Sequence, residues 1–228
     1  MKKTQDMFRV LKENRLIALL APKTVDSCIN AYEALSPLGI VLEIALRTDM
    51  ALEGIRAVVE KHPDALVLAG TVMTASQVGK AVRAGAAGIV SADYISAVVA
   101  CSVRHDLMCV PGGHGDVGKQ LAQKAELYGC GFEELREKHP HQWIHKLFPA
   151  VTSDAMYMGL SEAWKGPFPG LRMVYTGGVT LQNLGGLVKR DPDGIFCGSA
   201  MTRAVEDPKV MVQEAREWIG IIKSRLKL

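Results

Sequence analysis

Long apolar runs are missing from this chain. No stretch approaches the ~20 consecutive apolar residues that cross a bilayer, so no membrane partner is expected. The opening MKKTQDMFRVLKEN has neither the apolar core nor the small-residue cleavage site of an export signal; it reads as a short amphipathic helix. A disulfide framework is missing too. The five cysteines (Cys28, Cys101, Cys109, Cys130 and Cys197) are scattered, odd in number and without CxxC spacing. Reduced thiols in a cytoplasmic protein are expected, most of them small apolar fillers. Charge of one sign is scarce: 27 Lys plus Arg against 24 Asp plus Glu leave +3, too even to indicate nucleic-acid binding. No Pro- or Ser-rich linker divides the chain. Its 228 residues, 48% hydrophobic, suit one domain with a sizeable core.

What is present is a rhythm. Short apolar runs at 16–21, 40–46, 65–70, 88–92, 107–111, 142–148, 171–178 and 194–198 alternate with amphipathic stretches of ten residues or more. Near-continuous apolar strands imply burial on both faces, as parallel sheets require. Eight strand–helix units of about 28 residues point to a small single-domain (β/α)8 TIM barrel with an N-terminal helix. A doubly wound open sheet is the alternative, because periodicity does not decide closure. One interval is longer than the rest. After the fifth strand, GDVGKQLAQKAELYG and FEELREKHP suggest two helices, and an insertion over about 118–141 is expected.

Two strands carry charges where a barrel strand should be apolar. In the second, Val41, Glu43, Ala45 and Arg47 share one face and Ile40, Leu42, Ile44 and Leu46 the other. The aliphatic set suits the helix layer, which turns Glu43 and Arg47 inward; a surface or ion-paired glutamate is the plainer reading. In the sixth, Ile144, Lys146 and Phe148 share a face. A lysine walled by apolar groups loses proton affinity and becomes an amine nucleophile for a ketone; an edge lysine snorkelling to solvent is the alternative. The last two strands end in TGGV (176–179) and CGSA (197–200). Such turns let backbone N–H groups approach an anion, in the loops where barrels of this kind hold phosphate; ordinary turn glycines are the plainer reading.

These residues resemble the class I aldolases of 2-keto-3-deoxy-6-phosphogluconate and 4-hydroxy-2-oxoglutarate, over roughly residues 16–205. LEIALRT is similar to the family's Glu-x-x-x-Arg strand, AGTVMT to its Gly-Thr-Val turn and HKLFPA to its Schiff-base lysine with Phe-Pro-Ala; TGGV and CGSA resemble its phosphate loops. The resemblance implies a lyase that releases pyruvate. Lys146 would form the Schiff base and Glu43 would shuttle protons. Arg47 and Thr71 would hold the keto-acid carboxylate, and Gly177, Gly178, Gly198 and Ser199 a distal phosphate. It also implies a metal-independent reaction without a cofactor, and a homotrimer. Two loops depart from the family pattern. Ser91-Ala92-Asp93 stands in place of Ser-Pro-Gly, and PGGHGDVGK in place of Pro-Gly followed by Thr and Glu. Both would border the aldehyde half of the substrate, whose identity stays open. A non-catalytic barrel binding a phosphorylated metabolite and a related phosphate-binding isomerase or synthase are the rival functions.

Other signals weigh less. Gly113–Lys119 reads literally as GxGxxG and as GxxxxGK, but residue 120 is Gln where a P-loop needs Ser or Thr. Contact of Gly113, Gly115 and Lys119 with an anionic end of the substrate is a milder expectation, as is a phosphate contact from Lys23. His139, His141 and His145 cluster without the spacing of a familiar metal site, so no metal is expected. The basic tail KSRLKL complements a helix C-terminus.

Overall fold

The computed structural model describes residues 2–153 and 155–226; Lys227 and Leu228 of the basic tail lie outside them. Five parallel strands, β1 (Leu16–Leu20), β2 (Val41–Ala45), β3 (Val67–Gly70), β4 (Gly88–Val90) and β5 (Met108–Val110), are followed by β6 (Gly112–Gly113), β7 (Ile144–Leu147), β8 (Arg172–Tyr175) and β9 (Ile195–Gly198). Their order is β5-β4-β3-β2-β1-β9-β8-β7-β6. The two ends of that order are consecutive pieces of one strand, split at Pro111, which has no N–H to continue a ladder. Val110 still pairs with Val90, and Gly112 pairs with Lys146. The Lys146 N–H donates to the Pro111 carbonyl at 2.9 Å. The ring thus closes through the chain itself, and the eight expected strands become nine segments for the want of one donor.

Strand alternation sorts the core into two layers. Ile17, Val41, Leu68, Val90, Met108, Val110, Ile144, Val174, Ile195 and Cys197 fill the barrel interior. Leu16, Ala18, Leu42, Ile44, Val67, Ile89, Leu147, Met173, Tyr175 and Phe196 face the helices. The interior cluster includes Met7 and Leu11, because the N-terminal helix α1 (Lys2–Asn14) lies across the floor of the barrel. Thr4 anchors it there, donating to the Asp106 carbonyl at 3.0 Å.

Around the barrel run α2 (Val25–Leu35), α3 (Ala51–Lys61), α4 (Ala75–Ala84), α5 (Ser96–Arg104), α6 (Val117–Tyr128), α7 (Phe132–Lys138), α8 (Met158–Lys165), α9 (Leu181–Arg190) and α10 (Pro208–Leu226). Threonines start several of them. Thr24 accepts from the Ser27 N–H, and Thr74 and Thr180 form capping boxes with Gln77 and Asn183. The long interval after β5 holds two helices of different standing. Val117, Leu121 and Ala125 of α6 belong to the outer core, where α7 contributes Leu135, so α6, with the longer buried stripe, serves as the ordinary crossover helix. The additional chain is α7 with the short turn Pro140–Gln142. No helix among the described residues is long and apolar enough to cross a membrane.

Candidate active site

Closing the barrel brings together charges that the sequence holds a hundred residues apart. Glu43 and Lys146 both point into the interior, 3% and 6% exposed. Each occupies space that a neighbouring glycine leaves open. A Cβ at Gly70 would collide with the Glu43 carboxyl group, and one at Gly112 would stand 2.7 Å from Lys146 Cε. Glycine at these two strand positions lets a long polar side chain lie across an adjacent strand.

Burial moves both groups toward their neutral forms. Desolvation raises the Glu43 carboxyl above the usual carboxylate range, opposed by the positive charge of Lys146. It lowers the Lys146 ammonium, opposed by the negative charge of Glu43. The Lys146 Nζ lies 5.1 Å from the centre of the Phe148 ring. The arrangement supplies an amine made less basic by burial and a carboxyl group that holds its proton more tightly than a free one, a pairing suited to carbonyl addition.

At the C-terminal ends of the strands opens a cleft of about 210 Å³, lined by Phe148, which faces Lys146, and by Cys197, which touches Glu43, though not by Glu43 or Lys146 themselves. Its wall comprises Leu19, Arg47, Phe148, Thr176, Gly177, Gly178, Val179, Cys197, Gly198 and Ser199. Five of the six residues expected to bind substrate therefore share one cavity. The sixth, Thr71, is half-buried just beyond β3, in a left-handed conformation (φ 55°), and is not among the residues of that wall. Gly177 and Gly178 have φ of 81° and 73°, a backbone that a side chain would strain. At Gly178 a side chain would also strike the Val151 carbonyl. Leu19, Arg47 and Ser199 continue into an adjoining cleft of about 290 Å³, where Lys23 and Arg203 add positive charge opposite Glu206.

The other candidate residues lie elsewhere. Lys119 is exposed and paired with Asp116 at 2.8 Å. His139 stacks on Tyr128, and His145 faces outward against Trp164. His141 is buried beside the floor of the barrel, at a separate cavity bordered by α1 and α7. The described residues hold no group of three His, Cys, Asp or Glu placed to share a metal ion. At the two divergent loops, the Ser91 hydroxyl donates to the Asp93 carbonyl at 2.7 Å. His114 bonds the Pro149 carbonyl at 2.7 Å with its ring against Tyr157. Sequence reasoning missed Cys197, whose Sγ lies 3.8 Å from Glu43 Oε2. The alternation of Ile195 and Cys197 on the last strand was the available signal, since it places both on the inward face.

The sequence matches the family described as KDPG and KHG aldolase over residues 7–213. It is 29% identical over 197 residues to the 2-dehydro-3-deoxy-phosphogluconate aldolase of Treponema pallidum, covering 85% of this chain and 84% of that protein. Among solved structures it resembles the 4-hydroxy-2-oxoglutarate aldolase/2-deydro-3-deoxyphosphogluconate aldolase from TTHB1. The TM-score there is 0.78 and the identity 25%, with 95% and 98% of the two chains covered. A cube-shaped protein cage designed by fusing symmetric oligomeric domains matches with a TM-score of 0.74 and 25% identity, over 93% of this chain and 73% of that one.

Proposed function

Because this chain belongs to the KDPG and KHG aldolase family, we propose that its cleft cleaves and forms 2-keto-3-deoxy-6-phospho sugar acids or 4-hydroxy-2-oxo acids, releasing pyruvate. The protein is a carbon–carbon lyase, an aldolase of class I. The observation that carries the reading is the convergence of Lys146 and Glu43, both buried and each perturbed by the other's charge, next to a cleft lined by Arg47 and two glycine turns.

The proposed chemistry follows from that pair. The neutral Lys146 amine adds to the C2 carbonyl of the keto acid, and Glu43 supplies the proton that lets water leave the carbinolamine. The resulting protonated imine is an electron sink. When a base takes the C4 hydroxyl proton, the C3–C4 bond breaks, an aldehyde departs, and the electron pair is held as a neutral enamine. Protonation at C3 and hydrolysis return pyruvate and free Lys146. Arg47, a cation on the cleft wall, takes the keto-acid carboxylate through its planar fork, with Thr71 as its proposed partner from the end of β3. Gly177, Gly178, Gly198 and Ser199 hold the distal anion, with Lys23 in the adjoining cleft within the same positive field.

A homotrimer working in the cytoplasm is the proposed physiological form. It is supported by family membership and by the likeness to a cage built from oligomeric domains. The test of the reaction is borohydride reduction in the presence of pyruvate, followed by peptide mass analysis. An adduct on Lys146 is expected. A folded protein that traps none overturns the reading in favour of a barrel that only binds a phosphorylated metabolite.

A further inference from the structure

Cys197 sits where the reaction would need control. The inward face of β9 carries it into the barrel, 2% exposed. Its thiol donates to Glu43 Oε2 at 3.8 Å. Cys197 and Thr176 both line the 210 Å³ cleft. The other oxygen of the carboxylate, Oε1, packs over Gly70, so close that a methyl group there would displace it. The two oxygens of Glu43 therefore have different surroundings. One is set against backbone on β3, and the other is held by a thiol on the cleft wall.

We propose that Cys197 is a positioning residue for the proton shuttle, holding the Glu43 carboxylate with Oε2 toward the substrate cleft. The proposal rests on the reading of Glu43 as that shuttle. Two features separate this thiol from a filler. It is on the lining of the cleft, and it reaches the buried carboxylate of Glu43. A thiol is a weak donor, so it orients the carboxylate without quenching its basicity. It also favours the ionised form, opposing the upward pull of burial on Glu43.

Two variants separate orientation from packing. Cys197→Ala removes the donor, and Cys197→Ser keeps a hydroxyl in its place. The kinetic readout is exchange of the pyruvate methyl protons with solvent deuterium as a function of pH, with borohydride trapping on Lys146 measured in parallel. Loss of the donor raises the Glu43 pKa, so in Cys197→Ala the acid limb of the exchange profile moves up by about half a pH unit. The maximal rate falls roughly three- to tenfold, as loss of a weak hydrogen bond to a charged group predicts. Trapping stays near wild type, and Cys197→Ser moves the limb back down. An alanine variant with the wild-type limb and rate overturns the proposal, as does a serine variant that behaves like alanine.

A second readout needs no turnover. The infrared difference between the wild type and Cys197→Ala isolates the S–H stretching band of this thiol from those of the other four cysteines. The same difference taken in a Glu43→Leu background is expected to show that band at the frequency of a free thiol. A band unmoved by Glu43→Leu overturns the contact. If the wild-type protein traps no pyruvate, the aldolase reading and the shuttle assignment fall together, while the infrared measurement still tests the thiol–carboxylate bond on its own.

Discussion

Lys124 and Lys146 are both buried, one in the helix layer and one inside the barrel. Lys124 projects from α6, without exposure, and spends its N–H groups on the carbonyls of Cys109 and Gln142 at 2.8 and 2.9 Å. Burial pulls its pKa down to about 8. Lys146 is also held below the usual lysine value by burial, but its surroundings are a carboxylate, a thiol and an aromatic face, the last two of which line the cleft. Lowered basicity is thus common to both and cannot by itself mark a nucleophile. The difference lies in what surrounds the amine. Lys124 staples β5 to the turn before β7 through two unreactive acceptors, whereas Lys146 stands beside a proton carrier and next to space for a ketone.

Substitution of the two lysines should separate these roles. Lys146→Met is expected to lower aldol cleavage by at least about 10³-fold and abolish borohydride trapping, with the fold intact by circular dichroism. Lys124→Met strands two buried carbonyls, each costing about 1–3 kcal/mol. A lower urea midpoint is expected, with trapping on Lys146 preserved in the folded protein. If Lys124→Met instead abolished trapping without a change in stability, the contrast between the two sites would collapse.

Smaller effects sharpen the same contrast. Glu43→Gln should slow turnover by roughly 10²-fold, as loss of a general acid–base does, while the pyruvate adduct still forms over longer exposure to borohydride. Acid sensitivity belongs to the outer region. His141 and His145 are buried and pulled down to about 4 by desolvation from an ordinary value of 6.5. Between those values the unfolded chain binds protons that the folded one does not. Stability therefore falls as pH drops from about 6.5 toward 4, by on the order of 2–3 kcal/mol per histidine at the acid end. Urea midpoints at pH 7.5 and 5 should show this, with a shallower slope in His145→Gln. Gly70→Ala pushes the Glu43 carboxyl group aside and should cost about tenfold in turnover, read as kcat with little change in trapping.

Much of the site was legible before the fold because charge inside an apolar strand is rare. Glu43 breaks an otherwise aliphatic strand and Lys146 an otherwise apolar strand face, Ile144 and Phe148, and strand alternation sends both inward. The glycine turns were legible for a similar reason, since TGGV and CGSA punctuate strand ends at a predictable place in an eight-unit rhythm. Other features were not. Cys197 belongs to a residue type that fills cores, and its value lies wholly in a neighbour 154 positions away. Thr71 follows a motif glycine, but its left-handed backbone, φ 55°, is nothing that a threonine announces. The division of labour between α6 and α7 was hidden because both are amphipathic, and only packing tells a crossover helix from an added one.

Local chemistry written along the chain settled which segments would be strands, which face of each would be dry, and which charges violate that dryness, because side-chain period and hydrophobicity act over a few residues. Closure was a tertiary matter. Pro111 splits a strand whose halves pair with different neighbours, and only the finished ring puts an amine, a carboxyl group and a thiol within reach of one another. Those proximities join β2, β7 and β9, and the distances between them depend on barrel curvature, a property of all the strands together.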